Sequence, residues 1–137
     1  MSSDPLGDLP GYALRRAAQA MTAELARRLE ALELRITEAS VLLLIGGRDD
    51  LTSSDLGKVL DIQRANMVPL LNRLEIAGLV ARKPIDRKSQ AIVLTPTGLA
   101  RLAAVRATTK RFEGDLLARI PFEHRGHFLP ALKALIA

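Results

Sequence analysis

Gln63, Arg64, Asn66 and Arg73 fall on one side of a stretch whose other side is Met67, Leu70, Leu71 and Leu74. Amides and guanidinium groups in such a row can read base edges, and a cation further along can meet phosphate. Pro69 lies on the same outward face; it removes one helix hydrogen bond and is expected to bend the helix slightly near its N-terminal third. The solvated face of any amphipathic helix has a similar composition, so this pattern alone does not separate recognition from solvation. A second group shifts the balance. Arg82, Lys83, Arg87 and Lys88 accompany a single acid, Asp86, in a segment too small to hold a core of its own. Such a cationic arm suits insertion beside a polyanion, above all in a narrow minor groove. A hairpin kept basic for solubility is the plainer alternative.

Other chemistries find little support. His124 and His127, with Glu123 adjacent, are two imidazoles at i, i+3 without a third ligand at matching spacing. Gly46-Gly47 and Gly78 lack the neighbours of a phosphate-cradling loop, the carboxylates are scattered, and no nucleophile motif occurs. No catalytic residue, metal site or cofactor is therefore expected, and the chain reads as a binding protein rather than an enzyme. The absence of cysteine excludes disulfides, thiolate metal sites and a cysteine redox switch.

The candidate readers need elements to hold them. Thr52 is a good N-cap with Asp55 three residues on, and Leu51 and Leu56 sit where a hydrophobic staple would join. A short helix is expected over Ser53 to Leu60, with Leu56, Val59 and Leu60 inward and Gly57 admitting a second helix closely. Asp61 and Ile62 make a turn into a longer helix from Gln63 to Ala77, which Gly78 stops. Two β-prone runs follow, Leu79 to Arg82 and Ile92 to Leu94, with Lys83 to Gln90 between them: a hairpin with a charged tip. In a helix-turn-helix, the start of the second helix enters the major groove. Thr37 is expected to cap a buried central helix through Ile45, with Glu38 near its positive end and Gly46-Gly47 closing it.

The run Leu74-Glu75-Ile76-Ala77-Gly78-Leu79-Val80-Ala81-Arg82, then Asp86-Arg87-Lys88, then Leu94-Thr95-Pro96-Thr97-Gly98, resembles the winged-helix core of the MarR family of bacterial transcriptional regulators. The pattern there is L-E-x-x-G-L-V-x-R, an Asp-x-Arg wing, and L-T-x-x-G opening the next helix. One departure is Lys88, where the family's wing usually has a second Arg. Lysine is a point charge without the planar fork, so the sequence leaves open whether Arg87 or Lys88 makes the groove contact. The resemblance implies double-stranded DNA as partner, with Ser53, Ser54, Gln63, Arg64, Asn66, Pro69, Arg73, Arg82, Asp86, Arg87 and Lys88 as the contact set. It implies a repressor that binds an inverted-repeat operator as a homodimer. A small-molecule effector stays an open option, with Arg15, Arg16 and the surroundings of Met21 placed to line its site. The cysteine-based peroxide-sensing mode of some members is excluded here. The competing class is a winged-helix assembly module that never touches DNA; such a module has no need of polar readers together with a basic wing tip.

The expected fold is mainly α with a small β-wing: a winged helix-turn-helix flanked by dimerisation helices. A chain of 137 residues allows one domain with a modest core, and its 48% hydrophobic but 3% aromatic composition implies a helical core of Leu, Ala, Val and Ile. A net charge of +5 suits a polyanionic partner. With neither a secretory signal nor an apolar run approaching about 18 residues, a cytoplasmic protein without membrane contact is expected. A flexible lead-in is expected over 1–10 and a single domain over 11–137, with the winged core at about 37–95 and dimerisation helices at about 11–33 and 96–137. Leu14, Ala18, Met21, Leu25, Leu29 and Leu32 trace one helical face. After Thr95 and Pro96, a long helix to about Arg119 carries Leu99, Leu102, Ala103, Val105, Phe112, Leu116 and Leu117, and Pro121 breaks it. The last helix, from about Glu123, offers Phe128, Leu129, Leu132, Leu135 and Ile136, which with Tyr12 and Leu14 are the expected dimer interface.

Overall fold

Leucine placement decides the architecture. The computed structural model describes residues 4–136. Its elements are α1 (Pro10–Glu30), α2 (Ile36–Ile45), α3 (Ser53–Leu60), α4 (Arg64–Ile76), β1 (Val80–Pro84), β2 (Gln90–Leu94), α5 (Pro96–Arg119) and, past a 3-10 turn at Phe122–His124, α6 (Arg125–Ile136). The mainly helical fold with a small hairpin agrees with expectation. α2 lies at the centre, packed against α1, α3, α4, α5 and β2. Its Val41, Leu42 and Ile45 are buried with Leu56, Leu70, Leu71, Leu74, Leu79, Ile92, Leu102 and Val105. Each such side chain contributes about 1.5–3 kcal/mol on leaving water.

Caps set the ends. Thr95 Oγ1 accepts the Gly98 N–H at 2.9 Å, and Pro96 opens α5 in the first turn, where its missing donor costs nothing. The start of α2 differs from expectation. Thr37 lies inside the helix; the cap residue is Arg35, in extended conformation, and Glu38 Oε1 accepts the Arg35 N–H at 2.8 Å. Glu38 thus reaches back to the helix start from its third position, so no short side chain is needed at the cap itself. Of the expected lead-in, residues 1–3 lie outside the described residues. Residues 4–9 form a turn in which the Asp4 carbonyl accepts the Gly7 N–H at 3.0 Å, and α1 begins at Pro10. The last helix begins at Arg125 rather than Glu123, because the chain first closes a 3-10 turn after Pro121.

One residue expected to face inward, Val59, is exposed, and so is Leu99 on the helix after the wing. Val59 is 63% and Leu99 58% accessible. The short α3 meets the core only through Leu56, Gly57 and, in part, Leu60, so Val59 passes to solvent. Leu99 rims a shallow hollow with Ile45 and Leu94 at the start of α5. The strands are also longer than expected, paired antiparallel from Val80↔Leu94 to Pro84↔Gln90. A further pairing had no sequence signal: Thr52 bridges Ala91, and the Ile92 N–H donates to the Leu51 carbonyl at 2.8 Å. That bridge ties the helix-turn-helix to the wing.

At Gly98 an added Cβ would stand 1.9 Å from the Leu79 carbonyl oxygen, which is backbone and has no rotamer to yield. Gly114, also in α5, has nothing within 4 Å of the same position. Gly98→Ala should therefore destabilise by about 3 kcal/mol or more, while Gly114→Ala should stabilise by roughly 0.5–1 kcal/mol. Thermal denaturation of the two variants checks this, and equal melting temperatures would refute the packing described.

Candidate nucleic-acid interface

The entry to α3 is a reciprocal capping box. Asp55 N–H donates to Thr52 Oγ1 at 3.1 Å, and Thr52 N–H donates to Asp55 Oδ2 at 3.0 Å. These bonds hold the Asp55 carboxyl below its ordinary pKa, the Thr52 N–H being the largest cause. At the far end Asp61 adopts the left-handed region (φ 54, ψ 47), and the Ile62 N–H returns to the Gly57 carbonyl at 2.8 Å. A Cβ on Gly57 would lie 2.8 Å from the Ile62 carbonyl oxygen and 3.3 Å from Met67 Cγ. The missing side chain is what brings α3 and α4 together.

Gln63 is the N-cap of α4, its carbonyl accepting the Asn66 and Met67 N–H groups at 2.9 and 3.1 Å. Its side chain makes no capping bond, so its amide is left for another partner. Met67, Leu70, Leu71 and Leu74 are buried, while Gln63, Arg64, Asn66 and Pro69 are exposed. Pro69 is the sixth of the helix's 13 residues, nearer the middle than the expected N-terminal third. Gly78 (φ +76) ends α4: its N–H donates to the Glu75 carbonyl at 2.9 Å and the Leu79 N–H to the Leu74 carbonyl at 3.0 Å.

Between the helix-turn-helix and the wing lies an open cleft of about 990 Å³. It brings together Ser53, Ser54, Gln63, Arg64, Arg82, Asp86, Arg87 and Lys88 from the expected set. Asn66 and Pro69 stand outside its walls on the exposed face of α4. Lys58 also lines the cleft and was missed by sequence reading, although its position one turn after Ser54 placed it on the same face.

The cations differ sharply in their engagement. Arg73 is drawn inward, its Nε 3.4 Å from Oε2 of the buried Glu38. Arg82 Nε donates to Glu75 Oε1 at 2.6 Å, and Lys83 Nζ stands 3.3 Å from Asp49 Oδ2. Arg64, Arg87 and Lys88 form no ion pair among the described residues. The Asp86 carboxylate is occupied by the wing turn, accepting the Lys88 and Ser89 N–H groups at 2.8 and 2.9 Å.

The expected interface residues lie elsewhere. Tyr12 is half-buried; its ring lies beneath the Arg15 and Arg16 guanidinium carbons at 5.6 and 5.8 Å, and its hydroxyl accepts from Arg16 at 2.9 Å. Leu14, Leu129, Leu135 and Ile136 are exposed and Phe128 and Leu132 partly so; α6 buries none of its described residues. Among the described residues no three His, Cys, Asp or Glu side chains converge as a metal site would require, and no helix is long and apolar enough to cross a membrane.

The MarR family profile matches residues 32–91. A Thauera aromatica protein assigned as the transcriptional regulatory protein for the hcr operon is 31% identical over 129 residues, covering 91% of this chain and 77% of its own. Among solved structures, the transcriptional repressor CouR bound to a 23-mer DNA duplex superposes with a TM-score of 0.88 at 29% identity, covering 100% of this chain and 99% of that one. A Mycobacterium tuberculosis MarR family protein in complex with salicylic acid gives a TM-score of 0.72 at 26% identity, over 92% of this chain and 95% of its own.

The Lys88 N–H, the Ser89 hydroxyl and the Ser89 N–H hold the Asp86 carboxyl below its ordinary 3.8. Because the folded value is depressed, the turn's carboxylate bonds are fully present above the unfolded value and are lost as pH falls through the folded one. Amide proton shifts of Lys88 and Ser89, followed by NMR, should titrate with a shared midpoint below 3.8. Asp86→Ala should abolish that titration; a midpoint at or above the ordinary value would contradict the turn geometry.

Proposed function

This chain belongs to the MarR family of transcriptional regulators, and on that premise we propose that it is a sequence-specific DNA-binding repressor acting as a homodimer on an inverted-repeat operator. The observation that carries this reading is the shared cleft: Gln63 and Arg64 at the start of α4 face the same concavity as Arg87 and Lys88 at the wing tip. An α-helix fits the major groove, where Gln can pair with adenine and Arg with guanine, while a cationic tip suits the adjacent minor groove. The CouR repressor, 29% identical, is bound to a DNA duplex in its own structure. Asn66 extends the reading face, and Ser53 and Ser54 at the start of α3 serve the phosphate backbone with Lys58. Within the wing, Asp86 orders the tip rather than touching the polyanion.

The homodimer is supported by the two chain ends. α6 leaves Leu129, Leu135 and Ile136 exposed, and Leu14 of α1 is exposed as well. Covering such surface by a second copy would set two recognition helices about 34 Å apart, one turn of duplex. We assign the winged core to about 37–95 within one domain, as expected from the sequence. For an effector we infer an aromatic carboxylate: the M. tuberculosis relative is bound to salicylic acid, and here Tyr12 offers a ring flanked by Arg15 and Arg16. Release of DNA would then require that the ligand favour a different spacing of the two lobes. A repressor of this kind works in the cytoplasm and has no catalytic duty.

Selection of bound sequences from a random DNA pool, repeated with salicylate present, tests the reading. An inverted repeat should emerge; sequence-blind binding would favour an assembly module instead. Arg64→Ala should chiefly relax sequence preference, with about 1–3 kcal/mol lost at the base it reads. Arg87→Ala should weaken binding to operator and random DNA alike and flatten the salt slope by roughly 0.9 per lost phosphate contact. Sedimentation at micromolar concentration should show a dimer, and a stable monomer there would remove the two-copy arrangement.

A further inference from the structure

The hairpin leaves α4 at Gly78. At Gly78, with φ +76, an added Cβ would meet nothing within 4 Å. Backbone bonds secure the near end of the hairpin, where Thr95 N–H donates to the Leu79 carbonyl at 3.1 Å, and the middle of β2, where Ile92 N–H donates to the Leu51 carbonyl at 2.8 Å; the Thr95 hydroxyl adds a bond to the Gly78 carbonyl. On β1, which lacks such a backbone tie, two side-chain bridges span from hairpin to helical body at the same level. Arg82 on β1 meets Glu75 in the last turn of α4 at 2.6 Å, with both side chains about two-thirds covered (34% and 35% exposed). At the next position Lys83 reaches Asp49, on the loop before α3, at 3.3 Å. The tip residues Arg87 and Lys88 have no such bridge among the described residues.

We propose that Glu75 is a positioning residue for DNA recognition: by holding Arg82, with Asp49 and Lys83 as a second brace, it sets the angle between recognition helix and wing. The inference rests on the DNA-binding reading above. Helix and wing tip must reach neighbouring grooves together, so an error in that angle misplaces one whenever the other is seated. The brace also withdraws Arg82 from the cations available to phosphate. An acid kept beside a DNA-binding surface opposes binding to every sequence equally. Its benefit lies in geometry, which only the correct site rewards.

Glu75→Gln keeps the size and removes the charge, freeing Arg82. Affinity for random DNA should rise, and the salt slope of a dimer should steepen by roughly two units, about 0.9 for each Arg82 that gains a phosphate. The ratio of operator to random affinity should fall by about fivefold or more, the scale of one mismatched base pair. Pairing Glu75→Arg with Arg82→Glu restores opposite charges without changing net charge, and should recover the ratio. Hydrogen exchange on the free protein supplies a readout without DNA: the amides of β1 and the wing turn should exchange faster in Glu75→Gln and recover in the swapped pair. Unchanged exchange, an unchanged ratio, or no recovery on swapping would each overturn the brace. Were the wild type to show no operator preference, the regulator reading would fail by itself, and the exchange result would still decide the brace.

Discussion

The rest of the structure depends on α4 facing two environments at once. Met67, Leu70, Leu71 and Leu74 are at most 2% exposed, while Gln63, Arg64, Asn66 and Pro69 stand in solvent. Burial of the first set orients the second, because a helix fixed along one side has no freedom to rotate the other. The cost of Pro69 shows how firmly that side is held. A proline inside a helix costs about 3 kcal/mol or more, yet four buried side chains at about 1.5–3 kcal/mol each outweigh it. The proline also lies on the exposed face, where the carbonyl it leaves without a helix donor can be met by water.

Around that helix, acids decide which cations are left for a partner. Glu38 holds both the start of α2, through the Arg35 N–H, and α4, through Arg73. Glu75 holds Arg82 and Asp49 holds Lys83. Along the cleft, the cations outside any ion pair among the described residues are Lys58 on α3, Arg64 at the start of α4, and Arg87 and Lys88 at the wing tip. Net charge alone would have credited every basic residue to the polyanion. The fold instead divides them into residues that set geometry and residues that meet the ligand, as expected where orientation must be specified as well as attraction.

Much of this was legible beforehand, for local reasons. Thr52 with Asp55, Thr95 with Pro96, and Gly78 are signals read within one turn of chain, and the structure places α3, α5 and the end of α4 accordingly. The α2 cap was misread because Glu38 serves Arg35 from inside the helix, leaving Thr37 no capping role. Val59 was placed on the inward face by residue type and spacing, but a short helix meets the core along a narrower stripe than its apolar residues span. Lys58 was overlooked although helical spacing put it beside Ser54.

The sequence by itself determined which elements form and which side of each is apolar, because caps and hydrophobic periodicity act over a few neighbouring residues. Only the tertiary structure decided which charges pair. Glu38 and Arg73 are 35 residues apart, and Asp49 and Lys83 are 34 apart. The bridge from Thr52 to Ala91 belongs to the same class. An ion pair has no periodicity and no composition of its own; it exists only where packed elements bring two side chains within reach, and that arrangement follows from the shared core.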